Sequence, residues 1–127
     1  ISQPDMRYPI AWAMYYPQPS PDTVQGRVPA SYPTLEFFPV DTAKFRSYTL
    51  GRSAGEKGKY YPAVFNAANE AAVASFLAGN IRFGEIATLI AEALEASYPA
   101  YDYTSIDGLL QYDNAARETV QKRVFST

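Results

Sequence analysis

PAVFNAANEAAVASFLAGNIRFGEIATLIAEAL, residues 62–94, decides the fold of this 127-residue chain. Pro62 suits the first turn of a helix, where its missing N–H costs nothing. The alanine-rich run that follows is helical to about Ala78, and Gly79 supplies a left-handed stop. At ~1.5 Å per residue that helix is on the order of 25 Å long. After the NIRF turn a second period begins near Gly84, with Ile86, Leu89, Ile90, Ala93 and Leu94 at i, i+3, i+4, i+7 and i+8. Glu85 stands in its first turn, where negative charge suits the helix dipole, and Pro99 bounds its end. The two helices predict a core of Phe65, Phe76, Leu77, Ile86, Leu89, Ile90 and Leu94.

Working outward, the C-terminal tail from Ser105 to about Phe125 reads as another helix with Leu109, Ala116, Val120 and Val124 inward, breakable near Gly108 to Tyr112. Asp113–Arg117 and Glu118–Lys122 form i,i+4 pairs on its solvent side. Toward the N-terminus, Asp41 is an N-cap for a helix reaching Lys57 and closed by Gly58, although Gly51 and Gly55 each cost about 1 kcal/mol in a helix interior. Before Asp41 the composition changes: eight of the ten prolines fall within the first 40 residues. Proline clashes in helix interiors, so this arm is extended or turning. LEFF (residues 35–38) reads as a short strand, PIAWAMYY (residues 9–16) as a strand or short helix, and residues 17–33 as a linker. The fold expectation is mainly α: residues 1–40 as an extended proline-rich arm with one or two short strands, and residues 41–127 as a bundle of about four helices.

Bulk composition narrows the functions. An apolar content of 47% with 15% aromatics closes a single-domain core. A net charge of −2 and a pI near 5.0 give no broad positive field for a phosphate backbone, so no nucleic-acid partner is expected. The chain has no cysteine and no histidine, which removes a thiol nucleophile, a disulfide framework, the usual neutral-pH base and the commonest transition-metal ligands. No run approaches the ~20 apolar residues of a membrane span, and ISQPDMRYPI has no signal-peptide pattern. A cytoplasmic location follows as the expectation. An opening without methionine, in mid-pattern, reads as a piece of something longer.

Few residues remain to carry chemistry. GRSAGEKGKYY (residues 51–61) fails as a phosphate loop, since Ser53 stands where a glycine is needed and Tyr60 replaces the metal-binding hydroxyl; it reads as a helix end and loop. Eleven tyrosines and Trp12 raise a sugar or proline-rich-peptide binder, against the plainer reading of half-buried rings with wet hydroxyls. Asp102, Asp107 and Asp113 lack calcium-loop spacing. PDMRYPI (residues 4–10) is a stiff, proline-bracketed segment, either an apolar wall beside a ligand or an edge strand with a core methionine. Asn66, Asn69 and Glu70 lie at i, i+3 and i+4 on a face that Val73 and Leu77 continue. Such a face is expected to be covered, and buried amides and carboxylates left unbonded cost about 1–3 kcal/mol each. These three residues are therefore expected to form a structural latch onto backbone groups of a neighbouring loop or helix end.

QPDMRYPIAWAM (residues 3–14), LEFFPVDTAKF (residues 35–45), the 62–94 block and YDNAARETVQKRV (residues 112–124) together resemble the C-terminal third of 1-deoxy-D-xylulose 5-phosphate reductoisomerase. Gly84 departs from the family, whose members tend to carry a hydroxyl cap there. The resemblance implies a multidomain homodimer of isoprenoid precursor synthesis that uses NADPH and a divalent metal, Mg or Mn, both bound upstream of this chain, with the remaining domains of the same enzyme as partners. It implies catalytic residues upstream, Pro4 and Met6 as apolar wall of the substrate pocket, a structural rather than catalytic portion here, and no activity in this portion alone. Arg7 belongs to the motif without an assigned role. The alternative is a stand-alone helical interaction module of shared ancestry, which an upstream reading frame with a Rossmann start would exclude.

Overall fold

A computed structural model describes residues 5–18 and 34–126. It contains five helices: α1 Arg7–Tyr15, α2 Arg46–Lys57, α3 Tyr61–Leu77, α4 Glu85–Glu95 and α5 Ile106–Phe125. The chain divides between residues 38 and 39 into two units. In the first, PIAWAMYY takes the helical alternative, with Pro9 inside the first turn, where a missing donor is tolerated. Residues 34–40 belong to no regular element, and there is no strand among the described residues. A strand needs a neighbour to pair with, and none is present for LEFF among them. Most of the expected linker, residues 19–33, lies outside the described residues.

The second unit is built around α3, which packs against α2, α4 and α5, while α4 also touches α2 and α5. The inward side of α3 is almost entirely alanine: Val64, Ala67, Ala68, Ala71 and Ala72 are buried. Small side chains let the neighbouring helices approach closely, and the larger Ile86, Leu89 and Ile90 of α4 fill the space opposite. From α5 come Tyr112, Ala116 and Val120. Gly79, with φ +77°, ends the α3 turn as its position predicts.

The expected core needs correction at its margins. Ile86, Leu89 and Ile90 are buried, but Phe65, Phe76 and Leu94 are only partly so, and Leu77 is 77% exposed. Leu77 lies five residues beyond Ala72, about 140° around the helix from the alanine face. The face through Asn66, Glu70 and Leu77 is thus the flank of α3, not its core side.

Two other elements differ from expectation. Asp41 caps an isolated turn, its Oδ1 accepting from the N–H groups of Ala43 and Lys44 at 3.0 Å each, and α2 starts only at Arg46. Gly51 within α2 faces Phe65; a Cβ there would lie 3.0 Å from the ring's Cζ, so the glycine lets α2 lie close on α3. The break that Gly108 to Tyr112 allowed does not form, and α5 runs unbroken for 20 residues. Ser105 caps it, its Oγ accepting from the Gly108 N–H at 3.1 Å. A Cβ on Gly108 would fall on the Asp102 carbonyl oxygen, so this glycine serves contact with the preceding loop rather than flexibility.

Candidate functional site

The α3–α5 seam carries the most developed polar arrangement in the second unit. Asn66 and Glu70, one turn apart on α3, are joined by Asn66 Nδ2 donating to Glu70 Oε1 at 3.1 Å. The other carboxylate oxygen, Oε2, accepts from Arg117 Nη2 of α5 at 2.6 Å. Arg117 also donates from Nε to Asp113 Oδ2 at 2.6 Å and from Nη2 to Asp113 Oδ1 at 3.2 Å, a bidentate grip on its own helix. The relay Asn66–Glu70–Arg117–Asp113 spans 47 residues of sequence between its two central members.

Electrostatics follow the contacts. The hydrogen bonds from Arg117 and Asn66 hold the Glu70 carboxyl below its usual range. Those from Arg117 to Asp113 and Glu70 raise the guanidinium further, so it stays charged. The partners are side chains, not the backbone groups the sequence pointed to, and Asn66 and Glu70 are exposed rather than covered. Asn69 is half-buried and stands outside this relay. Arg117 is the member that sequence reasoning missed. Its i,i+4 spacing to Asp113 was visible, but nothing local signals a second partner on another helix.

α5 also carries a tyrosine cluster, whose partners the sequence did not indicate. Tyr112, buried, stacks on Tyr60 with ring centroids 4.2 Å apart and 7° between planes. Tyr101 and Tyr98 meet Tyr112 edge-on at 5.0 and 6.1 Å, the offset and T-shaped geometries that aromatic quadrupoles favour. Buried hydroxyls find acceptors: Tyr112 donates to the Tyr101 carbonyl at 3.2 Å and Tyr98 to the Ala93 carbonyl at 2.7 Å. A hydrogen bond with Tyr61, together with burial, pushes Tyr60 up to about 12, and burial also raises Tyr98. Both raised phenols, Tyr60 and Tyr98, stay protonated at neutral pH and serve as packing groups.

The other expected site residues lie in the first unit. Met6 is the N-cap position of α1 and is 72% exposed; Pro4 lies outside the described residues. Arg7, to which the sequence assigned no role, pairs with Asp5, its Nε 2.9 Å from Oδ2, and this lowers the Asp5 carboxyl to about 2. Among the described residues no three metal-capable side chains gather, so they do not fit a divalent metal. No described helix is long and apolar enough to cross a membrane.

Comparison with known proteins adds to this geometry. The model of the DXP reductoisomerase C-terminal domain matches residues 1–119. A 1-deoxy-D-xylulose 5-phosphate reductoisomerase of Leptospira biflexa is 42% identical over 121 residues, covering 95% of this chain and 31% of that protein. One from Chlorobium phaeovibrioides is 39% identical over 126 residues, covering 99% of this chain and 33% of that protein. Among solved structures, the reductoisomerase from Zymomonas mobilis in complex with NADPH aligns with all of this chain and 33% of its own, at TM-score 0.76 and 32% identity. A DOX-P reductoisomerase holding fosmidomycin and magnesium aligns at TM-score 0.79 and 29% identity, over 98% of this chain and 33% of that one. The chain spans about a third of the length of the relatives it matches.

Proposed function

Because the chain belongs to the DXP reductoisomerase C-terminal domain family, we propose that it is the C-terminal portion of an enzyme converting 1-deoxy-D-xylulose 5-phosphate to 2-C-methyl-D-erythritol 4-phosphate. The observation that carries this reading is a family match running from residue 1 to residue 119, through the NAANE block and most of α5. NADPH supplies the reducing hydride and a divalent metal, Mg or Mn, organises the substrate; both are assigned to the upstream domains, as family membership implies. The whole enzyme is a cytoplasmic homodimer in which those domains are this chain's partners.

Within it, this portion is structural. The packed α2–α5 unit is a rigid support in which Asn66 and Glu70, with Arg117, fix α3 against α5, while half-buried Asn69 is assigned to the same latch through packing rather than through the relay. Pro4 and Met6 contribute apolar wall at the substrate pocket. Met6 suits such a wall because its exposed thioether on a helix end offers a soft apolar surface that demands no hydrogen bond.

Expression of the full-length protein tests the reading. NADPH oxidation that depends on 1-deoxy-D-xylulose 5-phosphate, with methylerythritol phosphate identified by mass, is the expected result. Its absence, or a reading frame with no upstream region about twice this chain's length, would favour the stand-alone interaction module instead. Asn69→Ala in the full enzyme is expected to lower thermal stability and leave turnover per folded molecule unchanged. Loss of turnover at an unchanged melting temperature would give the latch a catalytic role.

A further inference from the structure

Asp107–Gly108 is the only place in the chain where an aspartate or asparagine precedes a glycine. Such a pair carries a chemistry of its own. Glycine has no Cβ to hinder its nitrogen and its backbone bends readily, so that nitrogen can reach the carboxyl carbon of the residue before it. Each member also has a plain reason to be where it is. Asp107 puts negative charge in the first turn of α5, where the helix dipole favours it. Gly108 is buried, and a Cβ there would fall on the Asp102 carbonyl oxygen. Packing thus forces a glycine behind an aspartate that is exposed to water.

The turn around this pair is heavily cross-bonded. Ser105 Oγ accepts from the Gly108 N–H at 3.1 Å and donates to the Asp102 carbonyl at 3.0 Å, while the Ser105 N–H donates to the same carbonyl at 3.2 Å. Asp102 Oδ1 in turn accepts from the Thr104 N–H at 3.0 Å and from Thr104 Oγ1 at 2.6 Å. One serine side chain therefore ties the Gly108 nitrogen to the loop on which Gly108 packs. Ring closure onto the carboxyl carbon needs the Asp107 Cβ and the Gly108 nitrogen nearly eclipsed about the Cα–C bond, and helical dihedrals hold them apart. Reaching that geometry means rotating the peptide out of the helix and breaking the Ser105 bond.

We propose that Asp107 is a site of spontaneous covalent modification, isomerisation to isoaspartate, and that the Ser105 cap is the guard that holds it closed. The Gly108 nitrogen attacks the protonated Asp107 carboxyl carbon, a C–N bond forms, and the carboxyl hydroxyl leaves as water with the proton from nitrogen. Water then opens the resulting succinimide at either carbonyl. One opening returns aspartate; the other leaves isoaspartate, with the main chain routed through the former side chain. Water is the only co-reactant, and no step depends on the reductoisomerase reading. The extra backbone methylene moves Gly108 out of register with Ser105 and Asp102, so the lesion unpicks the start of the helix that carries Tyr112 and Arg117.

Peptide mapping of the intact protein after prolonged incubation, with isoaspartate labelled by an isoaspartyl methyltransferase, tests this. The urea-unfolded chain is expected to accumulate isoaspartate at position 107 at least about tenfold faster than the folded protein. Ser105→Ala should raise the folded-state rate about fivefold, the factor that corresponds to a lost cap of about 1 kcal/mol. Ser105→Asp, which caps comparably, should return it to the native rate. Leu89→Ala weakens the fold far from the cap and should leave the rate at position 107 near the native one. Modification in the unfolded chain no faster at Asp107 than at the other aspartates overturns the proposal, and so does an equal rate in folded and unfolded protein. A folded Ser105→Ala protein with an unchanged rate removes the guard. Acceleration by Leu89→Ala would mean that the whole fold, not the cap, protects the site, and this comparison decides the matter even if Ser105→Ala does not fold.

Discussion

The two seams of α3 are held by different physics. Against α4, alanines meet Ile86, Leu89 and Ile90, and the contact is apolar and shape-determined. Against α5, a charged relay and a tyrosine stack share the work with Ala116 and Val120. An apolar seam loses stability roughly in proportion to what is removed. A mixed seam depends on whether each polar group keeps its partner, and on how much water already screens it.

The largest expected effect belongs to the apolar seam. Leu89→Ala removes a buried side chain from α4 and should cost about 2–5 kcal/mol in urea unfolding. A loss under about half a kcal/mol would show that the α4 face collapses without strain, erasing the contrast between the seams. Next comes Gly108→Ala, whose Cβ meets the Asp102 backbone. Overpacking against backbone should cost about 1–3 kcal/mol, and a neutral result would show that the 97–105 loop shifts freely.

Tyr112→Phe sharpens the comparison from the polar side. It keeps the ring stack and removes one hydroxyl bond to the Tyr101 carbonyl, so a loss of about 0.5–1.5 kcal/mol is expected. A loss as large as that from Leu89→Ala would mean the tyrosine cluster, not the alanine seam, dominates.

The smallest effect is assigned to the relay. Arg117 and Glu70 keep 34% and 54% of their side-chain exposure, so water screens the pair and Arg117→Ala should cost about 1 kcal/mol or less. Its signature is pH. Glu70 has a lowered folded-state pKa, so its contribution is present above the ordinary carboxyl value of 4.5 and is lost as pH falls through the lowered folded value. The stability gap between the native chain and Glu70→Gln should therefore narrow on acidification from neutral pH, measured as urea midpoints at successive pH values. A gap that widens in acid would have the wrong sign and remove the relay from the seam.

Legibility in the sequence follows the same division. The α3 and α4 boundaries were readable because Pro62, Gly79, the 3.6-residue period and Pro99 act within one or two turns. Leu77 was misplaced because a stripe that begins at Asn66 looks continuous in sequence, whereas helix packing chose the alanine face about 140° away. The purpose of two glycines was hidden for a related reason. Propensity shows Gly51 only as a cost within its helix and Gly108 as a place where a helix could break, and they are close-contact positions once Phe65 and the Asp102 carbonyl occupy the space. In the candidate site, the Asn66–Glu70 spacing was visible as one face, while the second partner of Arg117 was not.

By itself the sequence determined what neighbours along the chain decide: a helical chain punctuated by proline and glycine, an amphipathic α4, and a composition without histidine or cysteine chemistry. Tertiary structure decided what residues distant in sequence impose on one another. It placed Arg117 between Glu70 and Asp113, stacked Tyr60 on Tyr112, and left LEFF without a partner among the described residues. Helix formation closes its hydrogen bonds within four residues, so local sequence suffices for it. Relays, stacks and strands close theirs across the chain, so a residue's partner exists only after the fold has brought it there.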